Sequence, residues 1–229
     1  EGNPILKPAD KATYFDVAPI DQGENTRREI CLTLEQMGFE IESSHHESAC
    51  GQHEIDFRYD DVIKSADNIL SFKAVVKTIS VRNGFHASFM PKPLTDVSGS
   101  GMHINMSLFK DGENVFSTKH DTGLPTIAKQ FIAGILAHIK EISAICNPII
   151  NSYKRINSGF EAPRHIAWSY KNRSTLIRVP ASTSGHNRIE LRSPDPTCNP
   201  YLALALILAA GLDGINSNLP LAMPQARSE

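Results

Sequence analysis

The stretch from Asn199 to Leu212, NPYLALALILAAGL, most restricts what this chain can become. It is apolar nearly all round, so a helix built on it has no face for water and must be buried. Asn199 followed by Pro200 is a helix start, because Asn can cap free N–H groups and the fixed φ of proline suits a first turn. The run is too short to cross a bilayer, which takes about 20 apolar residues. A second long helix is predicted over 126–146, where Ile127, Phe131, Ile135, Ile139 and Ile142 recur at helical spacing and Asn147-Pro148 closes the run. Shorter helices are predicted over 25–38, with Ile30, Leu34 and Met37 on one face and Gly38 as the stop, and over 65–83, with Ile69, Phe72, Val76 and Ile79 together. Residues 1–23 read as loop, with Pro4, Pro8, Pro19 and Gly23.

Between the helices the period changes to two. In GSGMHINMSLF, residues 99–109, Met102, Ile104, Met106 and Leu108 alternate with His103, Asn105 and Ser107. That is a strand with one buried face and one polar, uncharged face. FEIESSHHESACGQHEIDFRY predicts two strands around a short turn, Phe39 and Ile41 alternating on the way in and Ile55, Phe57 and Tyr59 on the way out. GFHASFMP, RSTLIRVP and NRIELRSP are further strand candidates. With no internal repeat and no clear linker, these elements predict a single α+β domain over 1–229, with helices on one side of a largely antiparallel sheet.

Composition narrows the partners. Charged residues make up 21% of the chain and the net charge is −2, so no global basic field advertises nucleic acid. The charge is uneven, however: residues 151–195 carry a net +5 and the remainder −7. One stretch is therefore an arginine-rich anion site or a basic face. Four cysteines without a C-x-x-C pair read as reduced thiols of a cytosolic protein, and the start EGNPILKPAD has neither the basic nor the apolar region of a signal peptide. Neither a membrane nor a nucleic acid is an expected partner.

Three constellations carry chemistry. Glu47 and Glu54 flank the turn Ser48–Gln52, so a hairpin brings two carboxylates together, and they repel unless a proton or cation lies between them. Mg²⁺ or Mn²⁺ suits such hard oxygen ligands; the plainer reading is an acidic hairpin tip in water. Neighbouring His45 and His46 shift the balance toward a cation, although a His pair is more often a hydrogen-bonding element. In NRIELRSP, Ile189 and Leu191 point one way and Arg188, Glu190 and Arg192 the other, as a structural ion ladder or as a metal ligand flanked by phosphate-binding arginines. Around them, Arg155, Glu161, Arg173 and Arg178 lie in a stretch rich in Gly, Asn and Ser, as in anion-binding loops; each Arg alone reads as a solvated surface charge. A His-bearing strand face, a Glu hairpin and an Arg/Glu/Arg strand are what a site for a metal–nucleotide and an acidic substrate needs.

These residues stand in longer motifs. GSGMH, HHE with GQHE, NSYKRINSGFEAP, NRS with IRVP, and RIELRSPDPTCNPYLALA follow one another in the order found in type I glutamine synthetases, and the resemblance runs from Tyr14 to Ile215. The chain resembles that family's catalytic domain, which implies a curved antiparallel sheet and ATP-dependent ligation of ammonia to L-glutamate through a γ-glutamyl phosphate. By position the resemblance implies Glu47 and Glu54 as ligands of one Mg²⁺ or Mn²⁺, and His103 and Glu190 as ligands of a second. It implies Arg155 and Arg192, with the backbone at Gly99, as holders of glutamate, and Glu161 as the loop residue shielding the intermediate. Arg173 and Arg178 match the arginines that steady the transferred phosphate, Arg188 an ATP contact, and Tyr59 and Ser107 the adenine end. A cytoplasmic double ring of twelve subunits is the family's assembly.

Some positions depart from the family. Ser98 stands where Asn usually precedes Gly-Ser-Gly, Asn105 replaces a second His of some branches, and His186 sits where many members have Lys. The family's N-terminal β-grasp domain and its C-terminal segment are expected beyond the two ends of this chain. Each metal is then left with two protein ligands, and the expectation is weak divalent-metal binding and negligible turnover by the chain alone. A non-catalytic ring-forming relative and a γ-glutamyl ligase for a larger amine are the alternatives.

Overall fold

The computed structural model describes residues 7–117, 123–159, 162–170, 172–181 and 186–225. The chain divides into two compact units, Glu1–Phe89 with Pro93–Gly99, and Met90–Lys92 with Ser100–Glu229.

In the first unit, helix α1 (Glu24–Gln36) leads into strands β1 (Ile41–His46) and β2 (His53–Phe57), and helix α2 (Val62–Arg82) follows. α1 stops at Gly38, which takes φ +91°, while the Phe39 N–H turns back to the Leu34 carbonyl at 3.0 Å. Glycine enters that left-handed conformation without the Cβ penalty of other residues. Ile30, Leu34, Phe39 and Ile79 make the buried core, with Ile41, Ile55, Phe57 and Phe72 packed on it. The β1–β2 register pairs His45 with Glu54 and His46 with His53, after an irregularity between Ile41 and Ser43. Residues directly opposite in an antiparallel pair share a face. His45 and Glu54 therefore lie on one side of the hairpin and His46 and His53 on the other.

The second unit is built on a four-stranded sheet ordered β3 (Ile104–Met106), β8 (Ile189–Leu191), β7 (Thr175–Arg178) and β6 (His165–Ser169). Its register aligns Ile104, Leu191, Ile177 and Trp168 in one row across the strands. The adjacent row is Asn105, Glu190, Arg178 and Ser169. Hydrophobic and polar rows alternate because side chains alternate along every strand. Helix α3 (Thr126–Cys146) packs on α5 (Pro200–Asn216), and both join the apolar cluster of Phe131, Ile135, Trp168, Ile177, Leu191 and Ile207. Helix α4 (Ile150–Asn157) and a small hairpin, β4 (Phe109–Lys110) with β5 (Glu113–Asn114), complete the unit.

The α+β class expected from the sequence is the observed one, and α3 keeps its predicted bounds. α5 is capped as expected, the Asn199 side chain accepting from the N–H groups of Tyr201 and Leu202 at 3.0 and 3.3 Å. Other expectations are corrected. The period-two run 99–109 is not one strand: it pairs with β8 over 104–106 and again at Phe109 in the small hairpin, although Met102, Met106 and Leu108 still pack on the core. GFHASFMP forms no strand among the described residues. β6 runs parallel to β7, so the sheet is mixed.

α3 and α5 approach so closely that a Cβ on Gly134 would overlap the carbonyl oxygen of Ala210 and lie 2.7 Å from the Gly214 nitrogen. In a free helix Ala is better than Gly by about 1 kcal/mol, but here backbone meets backbone and overpacking dominates. Gly134→Ala is expected to lower stability by about 3 kcal/mol, read as a fall in the urea midpoint at unchanged m-value.

Candidate active site

The first group of candidate residues lies on the outer face of the β1–β2 hairpin. The turn is closed by the Glu47 N–H donating to the Gln52 carbonyl at 2.8 Å, which brings Glu47 back over Glu54. Ligand atoms of His45, Glu47 and Glu54 all lie within 4.8 Å of one another. Desolvation, then the neighbouring Asp56 and Glu47 carboxylates, push Glu54 up to about 8. That is the signature of negative charge lacking a counter-charge, and it suits a divalent cation. Glu47 also accepts from the backbone N–H and hydroxyl of Ser48 at 2.7 and 3.1 Å, which orients it.

The inner face of the same hairpin carries a polar network whose Asp10, Asp21, Arg27 and His46 are buried. The Asp10 carboxylate accepts from the N–H groups of Ala12, Gln22 and Gly51 at 3.2, 3.3 and 2.9 Å, and lies 3.3 Å from His46 Nε2. Gly51 belongs to the turn and His46 precedes Glu47, so Asp10 braces the hairpin at both ends of the Glu47 segment. The Arg27 guanidinium donates to Asp21 at 2.7 Å, to Ser44 at 3.0 Å and to His53 Nδ1 at 2.7 Å. Desolvation and the Arg27 charge push His53 down to about 4, so it is a neutral acceptor there.

The second group surrounds Glu190 on the polar row of the four-stranded sheet. Its Oε2 accepts from Arg178 at 2.8 Å, its Oε1 from Arg192 at 2.7 Å, and His103 Nδ1 lies 3.4 Å from Oε1. Glu190 is 5% and Arg192 3% exposed, so this is a buried carboxylate held by two guanidinium groups. Burial first, then the fields of Arg192, Arg155, Arg178 and Arg173, hold His103 well below the usual histidine range. A neutral imidazole keeps a lone pair and can ligate a metal. Glu190 can do so only if Arg178 or Arg192 releases an oxygen.

Arg155 serves a different geometry. It is 3% exposed and donates to the carbonyls of Ser193 and Arg192 at 2.9 and 3.0 Å, with Pro194 at 3.5 Å. Burial pushes it down to about 10, which leaves it a cation at neutral pH. Gly101 makes room for it: a Cβ there would lie 2.5 Å from Arg155 Nη2 and 2.8 Å from His103 Nε2. The fully buried Asp195 accepts from Asn147 at 3.1 Å and from Thr197, fixing the chain that follows β8.

The remaining residues read from the sequence are placed as follows. The Gly99 carbonyl accepts from Gln52 at 3.0 Å. Arg173 is exposed and its carbonyl accepts from Arg192 Nε at 3.0 Å. Arg188 is exposed and donates to Asn105 at 3.1 Å, so Asn105 is part of this face. Tyr59 is exposed with Arg58 over its ring, and Ser107 is half-buried. Glu161 lies outside the described residues. Asp10, Asp21, Arg27 and Asp195 escaped sequence reasoning because isolated Asp and Arg residues in loops and on a helix carry no spacing signal.

A mixed α+β chain with two candidate cation sites, one beside clustered arginines, defines the class. Known proteins then place it: residues 2–227 match the family of the glutamine synthetase catalytic domain. The chain belongs to that family. It is 59% identical over 219 residues to a glutamine synthetase of Clostridium saccharobutylicum, covering 95% of this chain and 49% of that protein. It is 57% identical over 225 residues to that of Staphylococcus aureus, covering 98% and 50%. Among solved structures, Plasmodium falciparum glutamine synthetase superposes with a TM-score of 0.87 at 37% identity, covering 91% of this chain and 41% of that one. GmaS in complex with ADP superposes with a TM-score of 0.87 at 36% identity, covering 96% and 52%. The chain thus spans about half the length of the curated relatives it matches.

Removing a buried ion-pair partner leaves its mates uncompensated, at a cost of about 3–5 kcal/mol. Glu190→Ala strands Arg178 and Arg192 together and is expected to destabilise by that amount in urea denaturation.

Proposed function

We propose that this chain provides the catalytic domain for ATP-dependent ligation of ammonia to L-glutamate, giving glutamine, ADP and phosphate through γ-glutamyl phosphate. Family membership supports the reading, and one observation carries it: a buried carboxylate held by Arg178 and Arg192 lies beside an imidazole kept neutral by burial and the fields of four arginines. Arg192 and Arg155 hold the substrate carboxylates with the Gly99 backbone, Arg173 and Arg178 stabilise the phosphoryl group in transfer, and Arg188, Tyr59 and Ser107 bind ATP. Glu161 screens the intermediate from water. Residues 1–229 act as one catalytic domain in a cytoplasmic, self-associating enzyme, a ring of twelve.

Glu47 and Glu54 hold one Mg²⁺ or Mn²⁺, and His103 with Glu190 a second. Such a cation, when bound, neutralises phosphate charge and draws electron density from the reacting phosphoryl group. The protein's own part is electrostatic: planar guanidinium forks meet the phosphoryl oxygens in a site where charge is poorly screened. Binding energy is thereby directed at the charge that grows during transfer.

Formation of γ-glutamyl hydroxamate from glutamate, hydroxylamine and MgATP tests the reading on this chain and on a longer natural protein containing it. The longer protein is expected to be active and the chain alone silent. Silence of both with metal present favours a non-catalytic ring-forming relative. In the active protein, Arg192→Ala should mainly raise the KM for glutamate, whereas Arg173→Ala should lower kcat by about 100-fold. Equal effects of both on ATP binding alone would show the roles to be wrong. Competition by polyamines in the product assay separates a larger-amine ligase.

Cation binding has a pH signature. With Glu54 pushed up to about 8, the Glu47–Glu54 pair keeps a proton at pH 7. A cation needs the carboxylate form, so binding at pH 7 releases that proton, and the release fades as pH rises above 8. Calorimetric titration with Mn²⁺ in two buffers of different ionisation enthalpy should show close to one proton released per cation at pH 7. Buffer-independent heats would count against it.

A further inference from the structure

The two faces of the β1–β2 hairpin carry clusters of the same chemistry, and only one has a cation of its own. On the inner face, Asp10, Asp21, His46 and His53 present ligand atoms within 4.8 Å of one another. The Arg27 guanidinium reaches into that cluster, 2.7 Å from both Asp21 and His53. It supplies the charge the inner cluster needs and blocks the space a metal would use. On the outer face, His45, Glu47 and Glu54 are equally close. Among the described residues, neither of those carboxylates has a Lys or Arg partner, and Glu54 faces His45 instead.

His45 is prepared for more than a hydrogen bond. Its Nδ1 lies 3.1 Å from the His46 carbonyl, and a carbonyl only accepts, so Nδ1 is the donor in that contact and Nε2 is the nitrogen left to face the carboxylates. The side chain is 9% exposed, and Nε2 lies 3.7 Å from Glu54 Oε1, beyond a hydrogen bond and on the side of the two carboxylates. Phe15 stacks on the ring with centroids 4.4 Å apart and planes within 14°, while Tyr14 meets it edge-on at 5.4 Å. Phe15 holds φ +62°, a left-handed conformation that costs a bulky residue about 1–3 kcal/mol. A histidine whose far nitrogen is tied to a backbone carbonyl and whose plane is fixed by packing has the support usual for a metal ligand.

We propose that His45 Nε2 is a third ligand, beside Glu47 and Glu54, of the cation on the outer hairpin face, and that this nitrogen makes the site prefer Mn²⁺, Co²⁺ or Zn²⁺ to Mg²⁺. The inference rests on the metal reading of the Glu47–Glu54 pair given above. It changes the count made from sequence, in which this cation has only two protein ligands. Imidazole nitrogen suits the later first-row ions, whereas Mg²⁺ favours oxygen.

Pulsed electron paramagnetic resonance of Mn²⁺ bound to this chain reads the nitrogen directly, because a coordinated imidazole modulates the echo through its ¹⁴N nucleus. His103 is the other imidazole to control for. The expected result is a nitrogen modulation that persists in His103→Asn and disappears in His45→Asn, the latter keeping a donor near the Nδ1 position. His45→Asn should also weaken Mn²⁺ about 10-fold or more while changing Mg²⁺ by less than about twofold. If His45→Asn does not fold, the His103→Asn spectrum decides alone: bound Mn²⁺ without nitrogen coupling, or no bound Mn²⁺, overturns the proposal. An equal loss of Mg²⁺ and Mn²⁺ in a folded His45→Asn overturns it too. Failure of the underlying metal reading looks different: Mn²⁺ binding to His103→Asn would then be unchanged by Glu47→Gln and Glu54→Gln.

Discussion

The polar face of the second unit depends on one buried carboxylate. β8 is hydrogen-bonded to a strand on each side, and Glu190 at its centre gives one oxygen to Arg178 on β7 and the other to Arg192 two residues on. Without that charge, two guanidinium groups would sit side by side away from water, which costs several kcal/mol. With it, both planes are fixed and Arg192 reaches the Arg173 carbonyl, while burial and the fields of these arginines hold His103, just before β3, well below the usual histidine range. Of the two readings open from the sequence, the structure shows the ion ladder, and that ladder keeps both arginines ordered on the face where the proposed anion site lies.

The first unit solves a related problem differently. Its hairpin brings acidic and imidazole groups to both of its faces. The inner face is neutralised by a guanidinium carried on α1, and Asp10 ties the turn to the segment before it. The outer face has carboxylates and a buried imidazole with no such partner among the described residues, so its charge is balanced only by a proton or by a cation from solution. Rigidity on one side is what gives the other side defined geometry. A flexible hairpin would let Glu47 and Glu54 swing apart and relieve their repulsion without any ion.

The sequence carried most of this in its periodicities. Helix α3 was legible to the residue, because its apolar stripe runs unbroken and Asn147-Pro148 ends it. The polar positions Glu190 and Asn105 were legible as alternation along single strands, although which strand lies beside which, and that Arg178 joins their row, was not. Helix α4 was hidden: it is eight residues long with no apolar stripe, and its Arg155 read as a loop arginine. Strand β6 pairs in parallel with β7, a pairing that leaves no tight turn to recognise. The Asp111-Gly112 turn of the small hairpin, with φ of 54° and 81°, carried a signal that two-residue strands around it made easy to pass over. At the hairpin site the two glutamates were visible, but His45 and His46 read as an undivided pair. Only the register separates them, one to each face.

That register has a bearing on how such a chain can vary. Strand faces alternate with a period of two, so adding or deleting one residue between Glu47 and His53 would exchange the faces of everything beyond it. His53 would turn outward and Glu54 inward, placing a carboxylate beside Asp21 and leaving Arg27 to share its charge between two acids. Both clusters would fail together, though neither had lost a residue. Insertions are ordinarily tolerated best at the tips of surface hairpins. Here the tip is a spacer of set length, and drift in this segment is open to substitution but closed to single-residue gaps.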